Sequence, residues 1–199
     1  MFRAIPPMTR ALIFVNLGVY LLQLVPGLPM EELFALWPLH SGYFHPWQLI
    51  TYGFLHDPHN FAHIFFNMFA LFMFGRSLER YWGARRLVMF YLVCVVSAAL
   101  TQLYVQSGTG THEEVIGASG GVFGVLLAFA WYFPRQRLIV LPIPIPVPAW
   151  LFVTIYALIE LFFGVTGREQ GVAHFAHLGG LLGGALCILY WRARHRFSS

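Results

Sequence analysis

The segment that decides the fold runs from Gly117 to Gly124 and reads GASGGVFG, and a second segment from Ala173 to Gly180 reads AHFAHLGG. Each stands at the start of an apolar stretch of the chain. Glycines four residues apart let two helix backbones approach closely inside a membrane. An imidazole at His177 could then take the proton that makes the Ser119 hydroxyl a nucleophile. The two segments predict a hydrolase site built between membrane helices.

The composition of the chain is typical of a membrane protein. Of its 199 residues, 58% are hydrophobic and 10% are charged, with a mean hydropathy of +0.67. Six apolar stretches follow one another, and each is just long enough, or longer, to cross ~30 Å of hydrocarbon as a helix. We therefore predict an all-α membrane protein that forms one domain over residues 1–199, with helices at about 9–25, 60–78, 85–105, 117–133, 149–165 and 172–191.

The charged residues predict the orientation of these helices. All twelve basic residues are arginines, and Arg168 is the only one that falls on the outer side of the predicted topology. Because positively charged loops stay in the cytoplasm, we expect both termini there. The use of arginine without lysine suggests a GC-rich bacterial genome and hence a bacterial inner membrane. No arginine cluster with interleaved aromatic residues occurs, so we expect no nucleic-acid partner.

Three polar residues are predicted to lie at one depth in the membrane. His63, Ser119 and His177 stand 13, 16 and 15 residues before the arginine that ends their own apolar segment. At 1.5 Å per residue these separations correspond to about 20 to 24 Å. Polar groups inside a membrane are costly unless they face the interior of the bundle. A common depth therefore indicates one shared site below the outer surface.

A third motif, H-x-x-x-N, places His63 and Asn67 four residues apart on one face of the second helix. Imidazole and amide side chains can both donate hydrogen bonds. An acyl-transfer site needs such donors where negative charge develops on the carbonyl oxygen. The pair is therefore a candidate oxyanion site for the Ser119 nucleophile.

Taken together, these motifs resemble the rhomboid intramembrane serine proteases. The matching features are G-x-S-G at the head of the fourth helix, A-H-x-x-G in the sixth and H-x-x-x-N in the second. The resemblance implies a six-transmembrane-helix, rhomboid-like bundle without cofactor or metal. It implies a serine endopeptidase that cleaves transmembrane segments near their outer ends through an acyl-enzyme. Its partners would be the lipid bilayer and transmembrane protein substrates.

The same resemblance assigns roles to individual residues. Ser119 would be the nucleophile, and His177 the general base of a dyad that has no aspartate. The oxyanion hole would consist of His63, Asn67 and the Ser119 backbone N–H. The supporting residues would be Gly117, Gly120 and Phe123, of which Phe123 would pack against the His177 ring.

Two residues are not explained by this assignment. Gln48 stands where many members of the family have arginine, so the anchoring of the first outer loop is an open question. Glu160 is the one acidic residue clearly inside an apolar segment. Such a residue is expected to pair with a protonatable neighbour or to line a water cavity, or else to bond a nearby hydroxyl.

Two other functions remain open at this point. A metal-dependent membrane enzyme or transporter would use the histidine groups His56, His59 and His63, or His174 and His177, because imidazoles at such spacings can coordinate zinc. No H-E-x-x-H motif occurs, and no acidic residue lies beside either group in the sequence. A catalytically silent rhomboid-like membrane binding protein is the second alternative, against which the presence of both Ser119 and His177 argues.

Overall fold

The computed structural model describes residues 5–111, 113–140, 143–167 and 172–196, and most of these residues are helical. A 3-10 turn (Tyr52–Phe54) extends α3, and a wide turn of π-helix (Leu71–Gly75) joins α4 and α5 into one long helix. The elements in chain order are α1 (Pro7–Gln23), α2 (Met30–Phe34), α3 (Gln48–Thr51), α4 (Phe61–Ala70), α5 (Arg76–Trp82), α6 (Ala84–Thr109), α7 (Ser119–Tyr132), β1 (Arg137–Val140), β2 (Ile143–Pro148), α8 (Ala149–Thr166) and α9 (His174–Arg196).

The predicted helical membrane fold is confirmed in coarse form. Among the described residues, four helices are long and apolar enough to cross a membrane, namely Phe61–Trp82, Ala84–Thr109, α8 and the His174–Arg194 part of α9. The apolar helix α7 has 14 residues, which at 1.5 Å per residue gives a length of about 21 Å. The count of six spans and the cytoplasmic location of the termini stay predictions.

The chain departs from the predicted all-α fold in one place. Strands β1 and β2 form an antiparallel hairpin in which Arg137 pairs with Pro148 and Leu138 with Val147. Proline lacks the N–H that a helix interior needs, and it is tolerated on a strand that borders no further strand. The alternating prolines of β2 therefore exclude a helix here and still allow a two-stranded ribbon.

Helix α7 lies at the centre of the bundle, and most of its residues are buried. Its glycines receive side chains from the neighbouring helix α6. A Cβ atom on Gly121 would lie within 3 Å of the Tyr91 ring, and one on Gly124 would overlap Cys94. Glycine in α7 is therefore what allows large α6 side chains to pack against the backbone of the helix that begins with Ser119.

Helix α9 uses its two glycine pairs for two different neighbours. Gly180 and Gly184 face the glycine backbone of α7, whereas Gly179 and Gly183 face α6. On the α6 side, Ser97 Oγ donates a hydrogen bond to the Gly179 carbonyl at 2.8 Å. Because each pair recurs after four residues, each forms a stripe along one side of the helix. This double stripe holds α9 against both neighbours and sets the height of His177.

The other end of the bundle is fixed by a buried carboxylate. Glu79 is 4% exposed and accepts hydrogen bonds from the Met8 N–H, the Thr9 N–H and the Thr9 hydroxyl at 2.7 to 2.8 Å. The first N–H groups of a helix have no partner within the helix itself. Glu79 therefore supplies acceptors to the start of α1 and ties that helix to α5.

Candidate active site

Ser119 and His177 come from different helices and meet in a hydrogen bond. Ser119 is the first residue of α7, and His177 lies one turn into α9. The Ser119 Oγ and His177 Nε2 atoms are 2.8 Å apart. The serine is half-buried, and the histidine is 9% exposed. A hydroxyl at this distance from an imidazole nitrogen has the geometry of a nucleophile beside its base.

The segment that leads into α7 is held by the first outer loop. Gly117 has a φ of +132°, which side chains other than glycine rarely allow. Its N–H donates to the Tyr52 carbonyl at 3.0 Å, and Leu36 and Val115 exchange both backbone hydrogen bonds. Because the first N–H groups of a helix lack partners within it, the Ser119 N–H can serve a ligand at this end.

An aromatic ring supports the imidazole. Phe123, one turn after Ser119, stacks on His177 with 4.3 Å between the ring centroids and 7° between the ring planes. Tyr156 of α8 also packs against Phe123, at a centroid distance of 4.9 Å. The His177 ring is therefore restrained on its face by α7 and at its nitrogens by hydrogen bonds.

His63 and Asn67 line the same cavity as Ser119. His63 Nδ1 accepts a hydrogen bond from the Asp57 N–H at 3.3 Å, so its Nε2 carries the hydrogen in the neutral ring. That Nε2 atom lies 2.8 Å, and the Ser119 Oγ 3.6 Å, from the point where a Cβ on Gly117 would stand. Asn67 Nδ2 donates one hydrogen to the His63 carbonyl at 3.0 Å and has a second one for the cavity.

The cavity that joins these groups has a volume of about 1070 Å³. Its polar lining near the start of α4 and before α7 consists of Asp57, Asn60, Glu113 and Glu114, and the cavity extends as far as Leu138 in β1. Its apolar walls are formed by α4 and α8 and include Phe66, Phe69, Met73, Phe152 and Tyr156. A space of this size can hold an extended peptide segment rather than a single small molecule.

Glu160 of α8 lies behind His177, which corrects two expectations from the sequence. Its Oε2 atom accepts hydrogen bonds from His177 Nδ1 at 2.9 Å and from His174 Nδ1 at 2.7 Å. The histidine is therefore not the end of a two-residue dyad, and an acidic residue does lie beside the second histidine pair in space. The carboxylate pairs with two protonatable neighbours, not with a hydroxyl.

Glu160, His174 and His177 are also the one group of potential metal ligands found in the described part of the chain, with ligand atoms within 4.8 Å of one another. Metal ligation requires deprotonated ligand atoms. Here both Nδ1 atoms point at a single carboxylate oxygen at hydrogen-bond distance, so both carry hydrogen. In the other histidine group, the rings of His56 and His63 are 5.1 Å apart and His59 is exposed.

Sequence reasoning did not foresee that His174 and Glu160 would meet His177. Two signals in the sequence pointed to it. His174 and His177 are three residues apart and therefore share a helix face, and Glu160 is a lone acid in an apolar segment. The contact itself depends on how α8 packs against α9, and local sequence does not specify that packing.

The fold and the site together define an integral, multi-pass membrane protein with a serine and a histidine paired in a large cavity. The sequence pattern of the Rhomboid domain family matches residues 43–194. The chain belongs to the rhomboid family, which confirms the resemblance drawn from its motifs.

Named relatives agree with this membership. The chain is 28% identical to Rhomboid protease AarA of Providencia stuartii over 95% of this chain and 74% of that protein. It is 27% identical to Rhomboid protease GlpG of Photorhabdus laumondii over 97% of this chain and 64% of that protein. It is 30% identical to Rhomboid protein 1, mitochondrial, of Saccharomyces cerevisiae over 63% of this chain and 37% of that protein.

Proposed function

We propose that this chain is a serine endopeptidase that cleaves the transmembrane segments of other membrane proteins near their outer ends. The observation that carries the proposal is the 2.8 Å contact between Ser119 Oγ and His177 Nε2, which opens on a large cavity. Membership of the rhomboid family and the relatives named as proteases support it. We place the protein in a bacterial inner membrane with both termini in the cytoplasm.

The chemistry begins with the Ser119 hydroxyl. His177 Nε2 takes its proton as the oxygen attacks the scissile carbonyl carbon and forms a tetrahedral intermediate. The same proton then passes to the departing amine nitrogen as the peptide C–N bond breaks. The resulting ester on Ser119 is cleaved by water, which His177 activates in the same way, and the serine is regenerated.

The negative charge of the intermediate develops on the former carbonyl oxygen. His63 Nε2, the Asn67 amide and the Ser119 backbone N–H are the donors that would hold it. The space beside Gly117, with His63 Nε2 on one side and Ser119 Oγ on the other, is where this oxygen would lie. A side chain at residue 117 would fill this space, which gives the glycine a second role besides its backbone conformation.

The substrate must present its backbone to the serine in extended form. A helix hides its amide carbonyls in internal hydrogen bonds, so the substrate segment has to unwind locally. Glycine, alanine or proline near the outer end of the segment weakens its helix or its packing. The apolar walls of α4 and α8 can receive such a segment, and the polar lining near Ser119 can solvate the unwound part.

A fluorophosphonate probe tests the nucleophile directly. Purified protein in detergent micelles should be labelled covalently, and both Ser119→Ala and His177→Ala should abolish the labelling. The label should survive treatment with EDTA. Co-expression with a panel of single-span membrane proteins, followed by sequencing of the new termini, then identifies the cut site and confirms that cleavage requires Ser119.

The same assay separates the other two functions. A catalytically silent binding protein would leave the probe unreacted and the panel uncut while still retaining a substrate in pull-down experiments. A metal-dependent enzyme would lose its activity in EDTA and regain it with Zn²⁺. Either outcome would overturn the proposed serine mechanism.

A further inference from the structure

We infer that Glu160 positions His177 as the third member of a serine–histidine–glutamate relay, and that His174 holds the Glu160 carboxylate in place. The inference rests on the proposed serine protease function. It starts from the observation that one carboxylate oxygen accepts hydrogen bonds from both imidazoles, at 2.9 and 2.7 Å. Neither Glu160 nor His174 touches the Ser119 hydroxyl, so both act through His177.

The Glu160 carboxylate selects the reactive tautomer of His177. An ionised carboxylate can only accept hydrogen bonds, so the hydrogen of the neutral His177 ring stays on Nδ1. The lone pair of the ring then lies on Nε2, the nitrogen that faces Ser119 Oγ at 2.8 Å. Without the acceptor, the ring is free to carry its hydrogen on Nε2, where it cannot take the serine proton.

The carboxylate also stabilises the charge that forms during the reaction. When His177 takes the Ser119 proton, the ring becomes an imidazolium with Glu160 Oε2 directly behind it. Glu160 is 4% exposed, and charges attract more strongly where water is excluded. The proton stays on the imidazole and then passes to the leaving amine, so Glu160 keeps its negative charge throughout.

His174 gives the carboxylate a second fixed contact. Its Nδ1 donates to the same oxygen, and the ring is 6% exposed. The other buried residues of α8 are Ala149 and Val153, near the opposite end of the helix. The two histidines are therefore the contacts that hold the Glu160 end of α8 against α9, which makes a purely structural role the competing explanation.

The experiment compares Glu160→Gln with wild type as the full chain in proteoliposomes. We expect kcat for a transmembrane peptide to fall about 10- to 10⁴-fold, because an amide can donate to His177 Nδ1 and trap the unreactive tautomer. KM should stay within about twofold, since Glu160 lies behind the histidine and away from the substrate. The rate of fluorophosphonate labelling should fall together with kcat.

Three variants separate positioning from folding. Glu79→Gln removes another buried carboxylate, and we expect it to lower Tm while kcat per folded molecule stays the same. Glu160→Asp retains the charge on a shorter side chain, so it should recover part of the lost kcat. His174→Phe retains a ring without the Nδ1 donor and should lower kcat about 3- to 10-fold, the scale of one lost hydrogen bond. It also tests the relay if Glu160→Gln does not fold.

The outcomes distinguish this inference from the proposed function. Wild-type rates of labelling and turnover in folded Glu160→Gln, or in His174→Phe when the first variant is unfolded, overturn the relay and leave the protease intact. A wild-type protein that is never labelled overturns the protease itself. Loss of activity in EDTA with recovery in Zn²⁺ would show that the three residues hold a metal ion instead.

Discussion

The backbone of Gly180 in α9 lies so close to the Gly120 carbonyl oxygen of α7 that a Cβ atom on Gly180 would overlap that oxygen. Two backbones cannot yield as a flexible side chain can. The two helices that carry His177 and Ser119 are therefore held together at the closest approach that the polypeptide allows. Any residue larger than glycine must push them apart.

Gly180→Ala should therefore destabilise the fold and misalign the site. Inserting a methyl group into a tight interface typically costs 1 to 3 kcal/mol, and we expect a lower Tm together with weak labelling of Ser119. Gly18→Ala is the matched control, because a Cβ on Gly18 in α1 meets nothing within 4 Å. That change should leave Tm unchanged or raise it, since alanine favours helix by up to about 1 kcal/mol over glycine. Equal thermal unfolding of the two variants would contradict the close contact.

Phe123→Leu should lower kcat while the protein stays folded. The stacked ring restrains His177, and leucine fills much of the volume without a flat face. Because small displacements of a catalytic group can reduce rates by as much as about 10²-fold, we expect a loss of about 10- to 100-fold. Phe129→Leu, a buried change in the same helix that packs against Phe74, should affect Tm and not kcat.

Asn67→Ala should slow the chemical step without weakening substrate binding. Removal of one oxyanion donor typically lowers kcat about 10²- to 10³-fold, which is less than the complete loss expected for Ser119→Ala. Asn60→Ala is a suitable control because Asn60 lines the same cavity at an exposed position. A loss of kcat that is the same for both asparagines would argue that the effect belongs to cavity polarity in general.

Gln48 anchors the first outer loop through both ends of its buried amide. Its Oε1 accepts from the N–H groups of Trp37 and His45 at 3.4 and 3.1 Å. Its Nε2 donates to the carbonyls of Tyr43 and Leu33 at 3.0 and 3.4 Å. Gln48→Met keeps the length but leaves these buried backbone groups without partners, at about 1 to 3 kcal/mol for each group that finds none. We expect a large fall in Tm.

The arginine that many family members carry at this position should not substitute for Gln48. An arginine side chain only donates hydrogen bonds, so Trp37 and His45 would lose their acceptor. Gln48→Arg should therefore lower the free energy of unfolding as well, measured by thermal or denaturant unfolding in micelles. An arginine variant as stable as wild type would show that the acceptor oxygen contributes little.

His56 should make the stability depend on pH. Its ring is fully buried between α3 and α4, and no partner for either nitrogen is found among the described residues. Burial, together with the neighbouring His63, lowers its pKa from 6.5 to about 3. Between these two values the unfolded chain binds a proton that the folded chain excludes. Stability contributed by the neutral ring is therefore complete above pH 6.5 and falls on acidification, by at most about 1.4 kcal/mol per pH unit.

His56→Phe removes this titration and should flatten the curve of unfolding free energy against pH between about 6.5 and 4. Asp57 and His63, the titratable groups beside it, are unchanged in the variant. His59→Phe alters an exposed histidine three residues away and should reproduce the slope of the wild-type curve. An equal slope in wild type and His56→Phe would mean that His56 is protonated in the folded protein.

The family and much of the candidate site could be predicted from the sequence because their signals are local. Apolar stretches report helices, and fixed spacings such as His63 to Asn67 report a common helix face. The positions of Ser119 and His177 along their helices could be read from the arginines that follow. Each of these inferences uses residues that are close together in the chain, so no knowledge of packing is needed.

The contacts of Glu160 could not be obtained in this way. Its partners lie 14 and 17 residues away on another helix, and a lone acid in an apolar segment has many possible neighbours. Gln48 is similar, because its four partners belong to loop backbone whose course the sequence pattern does not specify. The hairpin of β1 and β2 also depends on pairing between segments, which prolines permit and do not dictate.

The sequence by itself determined that the chain would form apolar helices with a nucleophile, a base and oxyanion donors at one depth. Helix periodicity and lipid burial fix these features residue by residue. Only the tertiary structure decided which nitrogen of His177 faces Ser119 and which carboxylate stands behind it. Those relationships depend on the rotation of α7, α8 and α9 about their axes, and that rotation is set by glycine contacts and aromatic packing throughout the bundle.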